Sequence, residues 1–305
     1  MKYIKSINKI IIQNLKKRKY IVFGQNIISG SRISGLSANL ETLNKKSLVT
    51  NVPNCENSLI GMGFGAMLNG GNAIYFAKQL DFMLLGVDHF VNTFNNIKLF
   101  PKKIGSFNIF LFVCDQGHQG PQSSFNNADN FSSLSDINTY QINTKNEAKI
   151  IIPKLLKQKG FNIICLSQRL INNQILEYKN TKNSKSLSVF SYFEDFKNYD
   201  TALICFNFSF EQALKIKKNN QNKKMIILNI NFVNNIDYQY LFKKIDKSKK
   251  VIILNDNKSN YSRVYKIIYL IKKKFNKKKI ILVDRDKYEI HNNNDKFEIN
   301  YKKLK

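Results

Sequence analysis

A single acidic residue, Glu56, stands at the entrance of an apolar stretch rich in very small residues. It follows Pro53-Asn54-Cys55 and precedes SLIGMGFGAML, in which glycines alternate with larger apolar side chains. A carboxyl group in apolar surroundings holds its proton more readily than one in water, so it can share that proton with a bound ligand. The same residue type at the start of a helix is also stabilised by the helix dipole. The local sequence alone leaves both interpretations open.

The chain of 305 residues carries a formal net charge of +28, which raises the question of a nucleic-acid partner. Clustered basic residues bind phosphates and release counterions. Lys, Asn and Ile are nevertheless abundant in every part of the chain, with local density at residues 16–19 and 272–279. The spread favours a compositional origin for the charge. We therefore expect no nucleic acid among the partners.

The cysteines and the apolar segments limit the cellular setting. Four cysteines are scattered at positions 55, 114, 165 and 205 without a CxxC pair, which argues against a disulfide framework and against a zinc site. The longest apolar runs, such as residues 109–113, are far shorter than the ~20 residues of a membrane span. The N-terminal segment has a lysine-studded amphipathic pattern and not the apolar core of a signal peptide. We expect a cytoplasmic protein with no metal site of its own and no membrane partner.

Short apolar runs typical of buried strands alternate with helical periodicity along the whole chain. This alternation predicts an α/β fold with two doubly wound, mostly parallel sheets. The first predicted domain spans 1–172, and a smaller α/β domain spans 200–305. Residues 173–199, rich in Asn, Lys and Ser, are predicted to form a linker with some structure. A helix is expected near 57–69 and another near 82–96.

Three segments together resemble a known family. FGQNI at 23–27, TNVPNCENSLIGMGFGAMLNG at 50–70 and FMLLGVDHFVN at 82–92 are similar, in order and spacing, to the β subunit of 2-oxoacid dehydrogenase E1 components. More broadly, the chain resembles the transketolase superfamily, whose members use thiamine diphosphate. The resemblance implies a transketolase-like pyrimidine-binding domain followed by a transketolase C-terminal domain.

The resemblance also implies a role for individual residues. Thiamine diphosphate becomes a nucleophile after its thiazolium C2 loses a proton to its own aminopyrimidine, and an acid hydrogen-bonded to pyrimidine N1′ favours the tautomer that accepts it. The family pattern puts that acid at Glu56. It puts Phe82 where a ring stacks on the pyrimidine, although a plain core position is the alternative. Gln25 stands near the cofactor, where the family carries an acidic residue.

The loop CDQGHQGPQSSFNN at 114–127 departs from the family pattern. Ser123 occupies the position of a histidine that the family uses for proton handling and for acyl transfer onto lipoamide. A serine hydroxyl cannot donate a proton near neutral pH as an imidazolium can. His118 lies in the same loop and could replace it, or could be an ordinary exposed loop residue.

The sequence contains no Gly-Asp-Gly segment followed by Asn, the pattern that holds the diphosphate and its Mg²⁺ in this family. We therefore expect an α-type partner chain that supplies the diphosphate-binding domain, in an α2β2 assembly or with a homodimer formed through this subunit. The expected activity is cleavage or transfer of a carbon fragment from a small 2-oxoacid or ketose. The alternative is a degenerate, non-catalytic scaffold or regulator of the same fold.

Overall fold

The computed structural model describes residues 1–43, 47–99, 104–115, 126, 128–194, 198–258, 262–285 and 304. The chain divides into two compact units. Unit 1 comprises residues 1–114 and 132–177, and unit 2 comprises residues 115–131 and 178–305.

Unit 1 is built on a six-stranded sheet in the order β2-β1-β3-β4-β6-β5, in which every pairing is parallel. Strands covered on both faces have near-continuous apolar sequences, and all eight residues of β4 are buried. The strands are β1 (Ile21–Gly24), β2 (Leu48–Asn51), β3 (Asn72–Gln79), β4 (Ser106–Val113), β5 (Asn138–Ile142) and β6 (Gly160–Ser167).

Helices cover this sheet and complete an aromatic core. Phe64 of helix α2 packs edge-on against Phe107 of β4 and Phe161 of β6, with ring centroids 5.3 and 4.9 Å apart. A capping box of Thr144 and Glu147 begins helix α5. The helices of unit 1 are α1 (Tyr3–Leu15), α2 (Glu56–Leu68), α3 (Phe94–Lys98) and α5 (Lys145–Lys157), and α4 (Ala128–Ser133) begins in the part of the chain that belongs to unit 2.

The helix predicted near 82–96 is not regular. A 3₁₀ segment spans Leu80–Gly86, and a π-helical turn at His89–Thr93 precedes α3. Close packing against α2 explains the irregular start, because a Cβ at Gly86 would lie 2.2 Å from Cδ1 of Ile60.

Unit 2 contains a second six-stranded sheet in the order β12-β11-β9-β10-β8-β7. The four strands β9 to β12 pair with one another in parallel. Strand β8 pairs antiparallel with β10, and β7 pairs antiparallel with β8. The elements are β7 (Thr181–Asn183), β8 (Val189–Tyr192), β9 (Tyr199–Phe206), α6 (Phe210–Asn219), β10 (Met225–Ile230), α7 (Tyr238–Asp246), β11 (Ser248–Asn255), α8 (Val264–Lys274) and β12 (Lys279–Asp284). Strands β7 and β8 lie within 173–199, the segment predicted to be a linker with some structure.

The predicted fold class is confirmed: the protein is α/β with two six-stranded sheets, one parallel and one mixed. Within the described ranges, none of the helices combines the length and the apolar character that a bilayer crossing requires.

Candidate functional site

The carboxyl ends of three neighbouring strands bring the sequence-predicted residues Gln25, Glu56 and Phe82 to one edge of the first sheet. Gln25 directly follows β1, Glu56 begins the helix after β2, and Phe82 lies in the 3₁₀ segment after β3. Strand β1 pairs with β2 on one side and with β3 on the other, so the strand order reverses beside β1. Ligands of open parallel sheets bind at such a reversal, outside the carboxyl ends of the strands.

The end of β1 approaches β3 closely at Gly24. A Cβ on this residue would lie 2.4 Å from the carbonyl oxygen of Phe76 in β3, so only glycine fits. Asn51, at the end of β2, fixes the turn that follows β1. Its Oδ1 accepts hydrogen bonds from the backbone N–H groups of Ile27 (2.9 Å) and Ile28 (3.1 Å). These contacts hold the segment that contains the half-buried Gln25 beside the end of β2.

Glu56 is the first residue of α2, with Cys55 at the N-cap position. A carboxylate in the first turn is stabilised by the positive end of the helix dipole. Glu56 is half-buried, and its charge acts on Tyr75 of β3. Burial, and then the negative charge of Glu56, raise the pKa of the Tyr75 phenol. Tyr75 is only 4% exposed and stacks on Phe23 with ring centroids 5.3 Å apart.

Tyr75 therefore belongs to the surroundings of Glu56, although sequence reasoning missed it. It lies inside the apolar run of β3 and reads as an ordinary core residue. Only the three-dimensional pairing of β3 with β1 brings it near the start of α2.

Two glycines of α2, Gly61 and Gly63, allow close packing. A Cβ at Gly63 would lie 2.2 Å from Cζ of Phe107, and one at Gly61 would lie 2.9 Å from Nε2 of His89. The His89 ring is fixed by a 3.0 Å hydrogen bond between Nδ1 and Oγ1 of Thr93. These contacts hold α2, and hence Glu56, at a defined depth on the sheet.

Phe82 is half-buried, and no other described residue contributes a ring contact to it. One face of this ring is thus compatible with stacking on a flat ligand. Its neighbour Asp81 is 8% exposed, and its Oδ2 accepts a 3.5 Å hydrogen bond from Sγ of Cys114 at the end of β4. Asp81 is a buried acid at the same sheet edge that the sequence did not reveal, because its burial depends on the packing of β4.

The predicted residues His118 and Ser123 lie outside the described residues. Both positions that border the segment 116–125 are described, however. Asp115 and Asn126 are fully buried and belong to unit 2.

One buried ion pair holds both of these flanking residues. Nη2 of Arg285 lies 2.5 Å from Oδ1 of Asp256, and the two side chains are 4% and 0% exposed. The same Nη2 donates to the carbonyl oxygen of Asp115 over 3.1 Å, and Nδ2 of Asn126 donates to the carbonyl oxygen of Asp256. The segment that contains His118 and Ser123 therefore begins and ends at residues attached to a single anchor, which we call the Asp256–Arg285 clamp.

The residues at the edge of the first sheet fit the pyrimidine half of thiamine diphosphate. A carboxyl group can hold a proton against a ring nitrogen, and a half-exposed aromatic ring offers a flat apolar surface. Among the described residues there is no cluster of three or more His, Cys, Asp or Glu side chains that could hold a metal ion.

Comparison with solved structures finds a chain that is similar over nearly its whole length. It is a split-gene transketolase, described as an inactive β4 tetramer, with a TM-score of 0.64 over 94% of this chain and 89% of the other. The chain has a transketolase-like fold. At 12% sequence identity, the likeness establishes the transketolase-like fold alone. No protein-family model matches the sequence, and no curated protein matches it either.

Proposed function

We propose that this transketolase-like chain is the β-type subunit of a thiamine diphosphate-dependent enzyme. The enzyme cleaves or transfers a carbon fragment from a 2-oxoacid or a ketose. The observation that carries the proposal is the position of Glu56: it is a half-buried acid at the carboxyl edge of a parallel sheet, beside the point where the strand order reverses. A half-exposed aromatic ring, Phe82, follows the neighbouring strand.

In this proposal Glu56 donates a hydrogen bond to a ring nitrogen of the bound pyrimidine. When bound, thiamine diphosphate supplies a carbon nucleophile that attacks the substrate carbonyl group. The packing of Gly61 and Gly63 keeps the start of α2 in place, so the Glu56 side chain is preorganised to share one proton. Phe82 stacks on the pyrimidine and excludes water from one of its faces.

The other half of the cofactor requires a second polypeptide, because this sequence lacks the Gly-Asp-Gly…Asn pattern. An α-type partner holds the diphosphate and Mg²⁺. An exposed apolar surface on unit 1 supports an assembly of subunits. Large apolar side chains of α2 and of the segment after β3 are 37% to 63% exposed: Met62, Leu68, Leu84, Leu85 and Val87. A surface of this kind is costly in a monomer and is typical of a subunit interface.

The acceptor of the carbon fragment is a small molecule rather than a lipoyl domain. Transfer of an acyl group to a lipoyl domain breaks the lipoyl disulfide: one sulfur bonds to the acyl carbon, and the other sulfur takes a proton as it leaves. The resemblance puts Ser123 where the family has the histidine that handles this proton. General acid catalysis contributes ~10²–10⁴-fold to such a step. A serine hydroxyl is too weak an acid to supply this contribution near neutral pH.

The test is hydrogen–deuterium exchange at C2 of thiamine diphosphate, measured by NMR in the complex of this chain with its co-purified partner. Glu56→Gln should abolish the enzyme-catalysed exchange and leave the complex assembled, because an amide cannot supply the shared proton. Glu41→Gln is the matched control: Glu41 is an exposed acid in the same unit, 3.7 Å from Arg32. Exchange at the wild-type rate in the Glu56 variant would remove Glu56 from this role.

A non-catalytic scaffold of the same fold is the second candidate. It is favoured by Gln25, which provides no titratable group at the end of β1, and by Ser123. The same experiment separates the two functions. A scaffold would form the complex, yet the wild-type complex would show no accelerated exchange at C2.

A further inference from the structure

The outer face of helix α8 in unit 2 combines two exposed tyrosines with three lysines. Val264, Ile267 and Ile271 are buried against the sheet. At 100° per residue, the side chains opposite them belong to Tyr265, Lys266, Tyr269, Lys272 and Lys273, and all five are exposed. We call these five residues the α8 face.

The tyrosines of this face present their rings to solvent. Tyr269 is 61% exposed and Tyr265 is 44% exposed. The hydroxyl of Tyr265 donates to Oδ2 of Asp284 over 2.9 Å, which holds the hydroxyl end of this side chain. Burial and the neighbouring Asp284 carboxylate raise the pKa of Tyr265, so its phenol stays neutral.

The charge around the face is strongly one-sided. Residues 262–285 contain nine lysines and arginines and a single acid, Asp284. That acid is already hydrogen-bonded by Tyr265 and by Nδ2 of Asn255, at 2.8 Å. One carboxylate leaves most of the nine positive charges in this range uncompensated.

Among the described residues, none engages the ammonium groups of the three lysines of the face, in contrast to two other lysines nearby. Lys274 lies over the ring of Phe242, 4.9 Å from its centroid, and Lys278 donates to backbone carbonyl groups. No ion pair or side-chain hydrogen bond to a described residue engages Lys266, Lys272 or Lys273. Their charge is available to an external anion.

We propose that the α8 face binds single-stranded nucleic acid, with phosphates on the lysines and bases stacked on the two tyrosines. Exposed aromatic rings beside a row of cations are the combination that holds unpaired strands without sequence preference. Lysine is depleted at protein–protein interfaces, which argues against an acidic protein as the partner. The face lacks the exposed Trp, Phe or Leu side chains by which a helix enters a lipid surface.

This inference departs from the expectation based on composition. A lysine-rich composition places lysines on every surface of the protein. Helix α1 is an example: Lys5 and Lys9 are exposed one turn apart, on a face with no exposed aromatic residue. Composition does not explain why two exposed tyrosines share a face with free lysines on α8. The α1 face therefore supplies a control with matched charge.

The test is fluorescence anisotropy of a labelled oligothymidylate of roughly 20 nucleotides, titrated with the full chain at several salt concentrations. Tyr269→Ala should weaken binding at least about fivefold, and Tyr269→Phe should retain the affinity, because stacking needs only the ring. The logarithm of the binding constant falls linearly with the logarithm of the salt concentration, by about 0.7 per phosphate contact on a single strand. Lys272→Ala/Lys273→Ala should therefore make this slope shallower by about 1.4, whereas Lys5→Ala/Lys9→Ala should leave both the affinity and the slope unchanged. All substituted side chains are exposed, so circular dichroism should show unchanged folding.

Two results would overturn the proposal. One is equal weakening by the α8 and α1 lysine pairs with no effect of Tyr269→Ala, which would show binding by net charge alone. The other is displacement of the oligonucleotide by polyglutamate at equal charge concentration, which would indicate an acidic protein as the partner.

Discussion

Replacement of Arg285 by methionine should destabilise unit 2 and release both flanks of the segment 116–125. Arg285 is 4% exposed and pairs with the fully buried Asp256. Methionine fills much of the arginine volume but carries no charge, so Asp256 would be left as an uncompensated buried carboxylate. The carbonyl oxygen of Asp115 would also lose the hydrogen bond from Nη2.

The expected loss of stability follows from this burial. Breaking a buried ion pair from one side typically costs about 3–5 kcal/mol, because the remaining charge stays desolvated. Lys182→Met is the matched control, since it breaks an ion pair with Glu194 from the side of a lysine that is 68% exposed. An exposed partner of this kind contributes about 0–1 kcal/mol.

Hydrogen exchange followed by mass spectrometry measures the effect locally. In the Arg285→Met variant, amides of β11 and β12 should exchange roughly 100- to 5,000-fold faster, which corresponds to the expected 3–5 kcal/mol. Peptides that contain Asp115 or Asn126 should lose protection as well. The double variant Asp256→Asn/Arg285→Met should recover most of the loss, because it leaves no unpaired charge. Equal exchange in Arg285→Met and Lys182→Met would refute the view that the clamp anchors this segment.

Three further predictions concern the first unit and the loop. Phe82→Ala should weaken binding of thiamine diphosphate to the assembled complex roughly 2- to 10-fold by calorimetry, the loss expected for one stacked ring; an unchanged affinity would return Phe82 to a core role. Ser123→His should raise the rate of lipoyl-domain acylation without a comparable rise in cofactor affinity; efficient acylation by the wild type would contradict our reading of Ser123. Gly63→Val should lower the stability of unit 1 by about 1–3 kcal/mol in urea, because its side chain would overlap the ring of Phe107, whereas Gly65→Ala, with no atom within 4 Å of the added Cβ, should not.

Much of the fold could be predicted because apolar periodicity is local. Strand β10 (Met225–Ile230) has the sequence MIILNI, in which all residues but Asn229 are apolar, and such a run is typical of a buried strand. Strands β7 and β8 were not predicted, because Thr, Lys, Asn and Ser dominate their surroundings. Pairing of β8 with the distant strand β10 stabilises β8, and β7 pairs in turn with β8. The helix expected near 82–96 was predicted as regular because its sequence does not show the close contact between Gly86 and Ile60.

Some residues of the candidate site could be identified from the sequence, and others only from the structure. Glu56 was identifiable because an acid before a glycine-rich apolar helix is a local pattern, and the resemblance assigned Gln25 and Phe82 by spacing. Tyr75 and Asp81 could not be identified, because their relevance depends on which strands are neighbours. The Asp256–Arg285 clamp joins residues separated by about half of the chain from the loop that it anchors, and no sequence pattern connects them.

The central claim is that this chain carries only the pyrimidine half of a thiamine diphosphate site. It is tested most directly by isothermal titration calorimetry of thiamine diphosphate with Mg²⁺ into the purified chain and into its complex with the partner. We predict weak or undetectable binding by the chain alone and a large gain in affinity in the complex. Tight, Mg²⁺-dependent binding by the isolated chain would contradict the divided site.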